Sequence, residues 1–100
     1  MNLLFVCSKN QWRSPTAEAI YRNHTDLAVR SAGTSATARR TVNAGDISWA
    51  DHILVMEHSH KERLKDKFAQ ELARKKIHVL DIPDDFQFMG PDLVALIKLR

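Results

Sequence analysis

One short stretch concentrates the reactive groups: Cys7-Ser8-Lys9-Asn10-Gln11-Trp12-Arg13-Ser14. Cys7 is the only cysteine in the chain, and Arg13 follows it at a spacing of six residues. A cysteine attacks as the thiolate, and a positive local field favours that form. A loop joining a strand to a helix can supply the field, because its backbone N–H groups and the helix N-terminus can face one point. Arg13 adds a planar fork that can hold two phosphate oxygens together. Ser14 is placed to donate a hydroxyl hydrogen bond to the sulfur. Residues Ser8, Lys9, Asn10, Gln11, Trp12, Arg13 and Ser14 are therefore a candidate phosphate-binding loop. Cys7 is the candidate nucleophile, suited to in-line attack on phosphorus while N–H groups and Arg13 hold the equatorial oxygens. The plainer reading is a buried strand-end cysteine followed by an ordinary turn. Cys and Arg at this spacing often occur by chance; the strand before them and the Ser-Pro helix start after them make the pattern specific.

The surrounding elements must hold that loop. Asn2-Leu3-Leu4-Phe5-Val6 is a nearly continuous apolar run ending at Cys7, as in a strand buried on both faces. Ser14-Pro15 reads as a helix start, with Ser as cap and Pro at the first helical position. Ala17, Ile20 and Tyr21 give that helix an apolar stripe as far as about His24. A second strand spans Leu27–Ala32 and closes at Gly33, and Thr34–Arg40 reads as loop. Asn43 with Asp46 forms a capping-box pattern for a short helix through Trp49. Ile53–Met56 reads as a third strand. Ser59 with Glu62 suggests the cap of a longer helix, with Leu64, Phe68 and Leu72 inward. Ile77–Leu80 reads as a fourth strand, followed by a loop from Pro83 to Gly90. Gly90-Pro91-Asp92 opens a last helix whose inward face is Leu93, Leu96 and Ile97. Asp92 near its start and Lys98 and Arg100 near its end complement the helix dipole.

The order βαβαβαβα predicts an α/β fold: three layers, αβα, around a four-stranded parallel sheet. Ligands in such sheets sit at the carboxyl ends of the strands, where Cys7 and Asp81–Asp85 both fall.

At 100 residues, with 44% hydrophobic and 27% charged residues, the chain is expected to be one globular domain, 1–100. No apolar run approaches the roughly 20 residues that span a bilayer, so no membrane partner is expected and the location is read as cytoplasmic. One cysteine allows no intramolecular disulfide and no cysteine-based zinc cluster. The five histidines lack the spacing of three or four convergent ligands, so no metal and no cofactor is expected. The net charge of +3 favours anionic ligands, though a solvated basic surface explains a bias of this size equally simply. The lysines and arginines between Lys61 and Lys76 read as an exposed helix face, and nucleic acid is disfavoured as a partner. Arg39 and Arg40 read as solvated surface rather than pocket rim. Phe86, Phe88 and Met89 either line a substrate mouth or anchor the last helix.

The loop, its position and its flanks resemble the low-molecular-weight protein tyrosine phosphatases, whose Cys-x5-Arg-Ser-Pro motif follows the first strand. Cys7, Arg13, Ser14 and Pro15 match that motif, and Asn10 matches its usual Asn. Ser31-Ala32-Gly33-Thr34 resembles the family's second strand and turn. Ala50-Asp51-His52-Ile53-Leu54-Val55-Met56-Glu57 resembles its third strand. The long helical segment that usually follows the second strand has no room in Ser35–Arg40, so the chain resembles a compact variant. The resemblance implies hydrolysis of phosphate monoesters, foremost phosphotyrosine in proteins, through a phosphocysteine on Cys7. Partners would be phosphorylated proteins or small phosphoesters. It also implies a general acid in the late loop: Asp84 falls at that position, with Asp85 and Asp81 as alternatives. The family usually has Gly at the position of Lys9, which suggests a different loop conformation, and often a second Cys where this chain has Trp12. Cys7 consequently lacks an adjacent thiol to protect it from over-oxidation. Arsenate reductases of similar fold need further cysteines, and sugar phosphotransferase components typically lack the arginine. The rival from another class is a non-catalytic module that binds phosphate, phosphopeptide or nucleic acid through the same loop.

Overall fold

The computed structural model describes residues 1–99. Its elements run β1 (Asn2–Cys7), α1 (Arg13–Tyr21), β2 (Ala28–Gly33), α2 (Ala44–Trp49), β3 (His52–Val55), α3 (His58–Leu72), β4 (Lys76–Val79) and α4 (Pro91–Leu99). All strand pairs are parallel, in the order β2-β1-β3-β4. The chain leaves β1 to one side for β2 and returns to its other side for β3. β1 is thus the switch point at which such sheets open a crevice beyond their carboxyl ends, and Cys7 is its last residue.

Alternation along β1 sends side chains to two cores. Leu4 and Val6 pack with Ile47, Ile53, Val55, Leu64, Phe68 and Leu72 under α2 and α3. Phe5 and Cys7 pack with Ala17, Met56, Ile82, Leu93 and Ile97 under α1 and α4. Because both faces are covered, β1 carries almost no polar side chains. The expected three-layer α/β architecture is the observed one.

Most expected boundaries hold within a residue or two, but two helix starts differ. α1 begins at Arg13, and its N-cap Trp12 makes no side-chain capping bond. The Ser14 hydroxyl is turned toward Cys7 instead of capping the helix. In α3 the cap is Glu57, not Ser59. Glu57 accepts the backbone N–H of the third helical residue, and that residue, His60, accepts the Glu57 N–H. A carboxylate and an imidazole can complete this reciprocal box as Ser and Glu do, and Glu57 stands where the chain leaves β3. The capping box of α2 forms as expected, with Asn43 Oδ1 accepting from Asp46 N at 2.8 Å and Asp46 Oδ2 accepting from Asn43 N at 3.1 Å. Arg100, expected to complement the dipole of α4, lies outside the described residues.

Candidate active site

Cys7 is only 3% exposed, yet its thiol forms part of the wall of a cavity of about 240 Å3 at the carboxyl end of the sheet. Two groups meet the sulfur from below. Asn10 N donates to Sγ at 3.3 Å, and Ser14 Oγ lies 3.0 Å from it. Ser14 Oγ in turn accepts from Asn10 Nδ2 at 2.9 Å. A thiolate carries no proton, so against it Ser14 is the donor, as the residue types suggested. Asn10 and Ser14 are buried supports beneath the sulfur rather than cavity lining.

The remaining loop residues surround the opening. Ser8, Lys9, Gln11 and Trp12 line the same cavity as Cys7 and Arg13. Trp12 forms a wall and remains 42% exposed, so it leaves the cavity open. The left-handed residue of the loop is Asn10, at φ 55°, and not Lys9. Asn tolerates that region better than most residues do. Lys9 therefore needs no glycine-like backbone, and its side chain turns outward to the hydroxyls of Ser35 and Thr37.

Arg13 is 2% exposed, and its guanidinium is held from three sides. Nη1 donates to the Ile82 carbonyl at 2.8 Å and lies 3.1 Å from Glu57 Oε1. Nε lies 3.6 Å from Asp84 Oδ1. A buried cation needs such partners, because desolvation without them would cost several kcal/mol. Glu57 is thus part of the site, although its contact with Arg13 spans residues far apart in sequence. All three late-loop aspartates are exposed, and of them Asp84 lines the cavity while Asp81 and Asp85 do not.

Two further supports join the loop to distant parts of the chain. Residues 34–39 run along its back: Thr34 N donates to Cys7 O at 2.9 Å, Ser35 N to Ser8 O at 3.0 Å, and Arg39 N to Lys9 O at 2.9 Å. Arg39 Nε also donates to Asn10 O at 2.9 Å, so this arginine braces the left-handed turn from outside the cavity. Arg40 bonds Asp46 at 2.5 Å and the Ser31 carbonyl at 3.0 Å. Both arginines stay at the surface and outside the cavity, as expected, but their guanidiniums are tied to backbone and carboxylate partners. On the other side of the loop, Ser8 Oγ lies 2.9 Å from His60 Nε2. His60 is 1% exposed, and its pKa is lowered from 6.5 to about 4, first by burial and then by the Arg13 charge.

Glu57, His60 and Arg39 were not among the expected site residues. For His60 a signal existed: Leu64, Phe68 and Leu72 recur every four residues, and His60 is the preceding member of that inward row. His52 and His78 bond each other at 3.1 Å across β3 and β4. Among the described residues no group of three or more His, Cys, Asp or Glu side chains is placed to hold a metal ion. None of the helices among them is long and apolar enough to cross a membrane. A larger depression of about 450 Å3 lies along α3 and β4, lined by Lys61, Lys65 and Lys75 with small apolar groups, and offers no nucleophile.

A cysteine at the carboxyl end of β1, in a strand-to-helix loop with a buried guanidinium beside it, is an arrangement that can hold an anion against a nucleophile. Residues 2–48 match the model of the low molecular weight phosphotyrosine protein phosphatase family, which is the part of the chain that carries the loop motif. Solved structures agree over nearly the whole chain. An arginine phosphatase from Geobacillus stearothermophilus is 23% identical, with a TM-score of 0.73 over 97% of this chain and 88% of its own. A low molecular weight phosphotyrosine phosphatase from Vibrio cholerae is 20% identical, with a TM-score of 0.72 over 99% of this chain and 88% of its own. Wzb from Vibrio vulnificus, solved with benzylphosphonate, is 22% identical, with a TM-score of 0.74 over 98% of this chain and 90% of its own. At these identities the structural likeness establishes the fold. No curated protein matches the sequence.

Proposed function

We propose that the chain hydrolyses phosphate monoesters, foremost phosphotyrosine in proteins, through a phosphocysteine on Cys7. One observation carries this reading: the Cys7 sulfur, the buried Arg13 guanidinium and the Asp84 carboxylate line one small cavity. Nη1 of Arg13 is engaged by Glu57 and Ile82, and Nε lies 3.6 Å from Asp84, so phosphate oxygens would be held by Nη2, and by Nε once Asp84 is protonated. In the first step the thiolate attacks phosphorus, an S–P bond forms and the P–O ester bond breaks. Asp84, protonated at the start, gives its proton to the leaving oxygen. In the second step the Asp84 carboxylate takes a proton from water as that water attacks phosphorus. The S–P bond breaks, releasing phosphate and restoring the thiolate. Asn10 N–H and the Ser14 hydroxyl stabilise the sulfur each time it carries charge.

The substrate is read as phosphotyrosine because the family model and the Vibrio cholerae neighbour bear that description. The arginine phosphatase neighbour favours a second reading, in which the same steps cleave a P–N bond and Asp84 protonates the departing guanidine nitrogen. Rates on p-nitrophenyl phosphate, a phosphotyrosine peptide and a phosphoarginine peptide test both. We expect turnover by the wild type, preference for the aryl ester, and no turnover by Cys7→Ser. Equal rates from the wild type and Cys7→Ser would overturn catalysis at Cys7 and leave a phosphate-binding module. Preference for phosphoarginine would reassign the substrate.

A further inference from the structure

We propose that Ser8 donates a hydrogen bond to an oxygen of the bound phosphoryl group, and that His60 is the positioning residue that aims it. This rests on the reading of the cavity as a phosphate site. Through its proton, His60 sets the direction of the pair. Its Nδ1 lies 3.0 Å from the Glu57 backbone N–H, which can only donate, so Nδ1 is the acceptor. A neutral imidazole with Nδ1 unprotonated carries its hydrogen on Nε2. Nε2 lies 2.9 Å from Ser8 Oγ, so His60 donates and the serine oxygen accepts.

That fixes the direction of the serine. A hydroxyl has one hydrogen, and a serine whose oxygen is held by an outside donor keeps that hydrogen to give elsewhere. Ser8 lines the cavity beside Cys7 and Arg13, so the cavity is where it is given. A phosphoryl group carries negative oxygens and accepts such a bond strongly. The backbone of Ser8 is fixed as well, because its carbonyl accepts from Ser35 N at 3.0 Å. His60 is 1% exposed and is anchored through its ring and its place in α3, so it cannot swing away cheaply. The serine is thereby held ready before substrate arrives, at little cost in ordering. Neither residue carries the nucleophile or the acid.

Four variants test the assignment. In His60→Asn the amide oxygen stands near the place of Nδ1 and keeps the bond from Glu57 N, but no atom replaces Nε2. Ser8→Ala removes the donor, Ser8→Thr keeps a hydroxyl, and Ser8→Ala/His60→Asn removes both partners. On p-nitrophenyl phosphate, kcat/KM should fall roughly 10- to 100-fold in Ser8→Ala. It should fall comparably in His60→Asn, no further in the double variant, and recover most of the loss in Ser8→Thr. Inorganic phosphate binding, read by calorimetry in the absence of turnover, should weaken in Ser8→Ala by a similar factor. The calorimetric arm stands even if the wild type hydrolyses nothing, which would defeat the proposed function alone. Unchanged phosphate affinity in Ser8→Ala overturns the donor role. Losses in His60→Asn and Ser8→Ala that simply multiply in the double variant overturn the positioning role. Exposed His58→Asn serves as the control and should behave as wild type.

Discussion

Glu57 Oε1 lies 3.1 Å from Arg13 Nη1, and the same glutamate caps α3. One side chain therefore links the helix start to the guanidinium of the anion loop. Replacing it by Gln retains a capping oxygen but removes the charge that holds Arg13. Glu57→Gln should lower kcat/KM on p-nitrophenyl phosphate roughly 10-fold or more, with a smaller change in the urea midpoint. An unchanged kcat/KM would show that the Ile82 carbonyl alone suffices to hold Arg13.

The back of the loop depends on a missing side chain. A Cβ on Gly33 would lie 2.5 Å from the Ser8 carbonyl oxygen and 2.6 Å from the Ala38 Cβ. The first contact is with backbone, which cannot turn aside. Gly33→Ala should therefore destabilise the protein by about 1–3 kcal/mol and shift the loop, lowering activity at temperatures where the protein stays folded. Urea melts and p-nitrophenyl phosphate assays at 15 °C separate the two effects, since a change in stability alone would leave low-temperature turnover intact.

Asp84, the proposed general acid, lines the cavity. Asp84→Asn should lower turnover by roughly 10²–10⁴-fold, while inorganic phosphate still inhibits. Asp85→Asn should matter far less, because Asp85 does not line the cavity. A larger loss in Asp85→Asn than in Asp84→Asn would reassign the role.

The pH dependence of stability follows from His60. Its folded pKa is about 4, against an ordinary value of 6.5. Between these values the unfolded chain binds the proton and the folded chain does not, so stability falls as pH falls through that window. The contribution is complete above the unfolded value and is mostly lost by about pH 4, for a total on the order of 3 kcal/mol. Urea midpoints from pH 7.5 down to pH 4.5 should decline more steeply in the wild type than in His60→Asn. Parallel declines would place the sensitivity elsewhere.

The candidate loop was legible in the residues because it is local. Cys7, Asn10, Arg13 and Ser14 lie within one short loop and helix start between β1 and α1, so their spacing together with those flanks marks them as neighbours. The layers were legible for a similar reason: apolar runs and four-residue steps mark which faces must be covered, and Leu64, Phe68 and Leu72 are indeed inward. Even the short connection Ser35–Arg40 announced itself by its length.

What only the tertiary structure decided is which distant groups meet that turn. Glu57 and His60 reach it from β3 and α3, Arg39 from the loop after β2, and Ile82 and Asp84 from the segment after β4. No local pattern encodes those meetings. Parallel pairing of β1 with both β2 and β3 brings the carboxyl ends together, and hydrogen-bond partners many residues away then settle which way Arg13, Ser8 and Asn10 face. A side chain's type fixes what it can donate or accept, but the charges and dipoles that orient it are supplied by whatever the packed sheet places alongside.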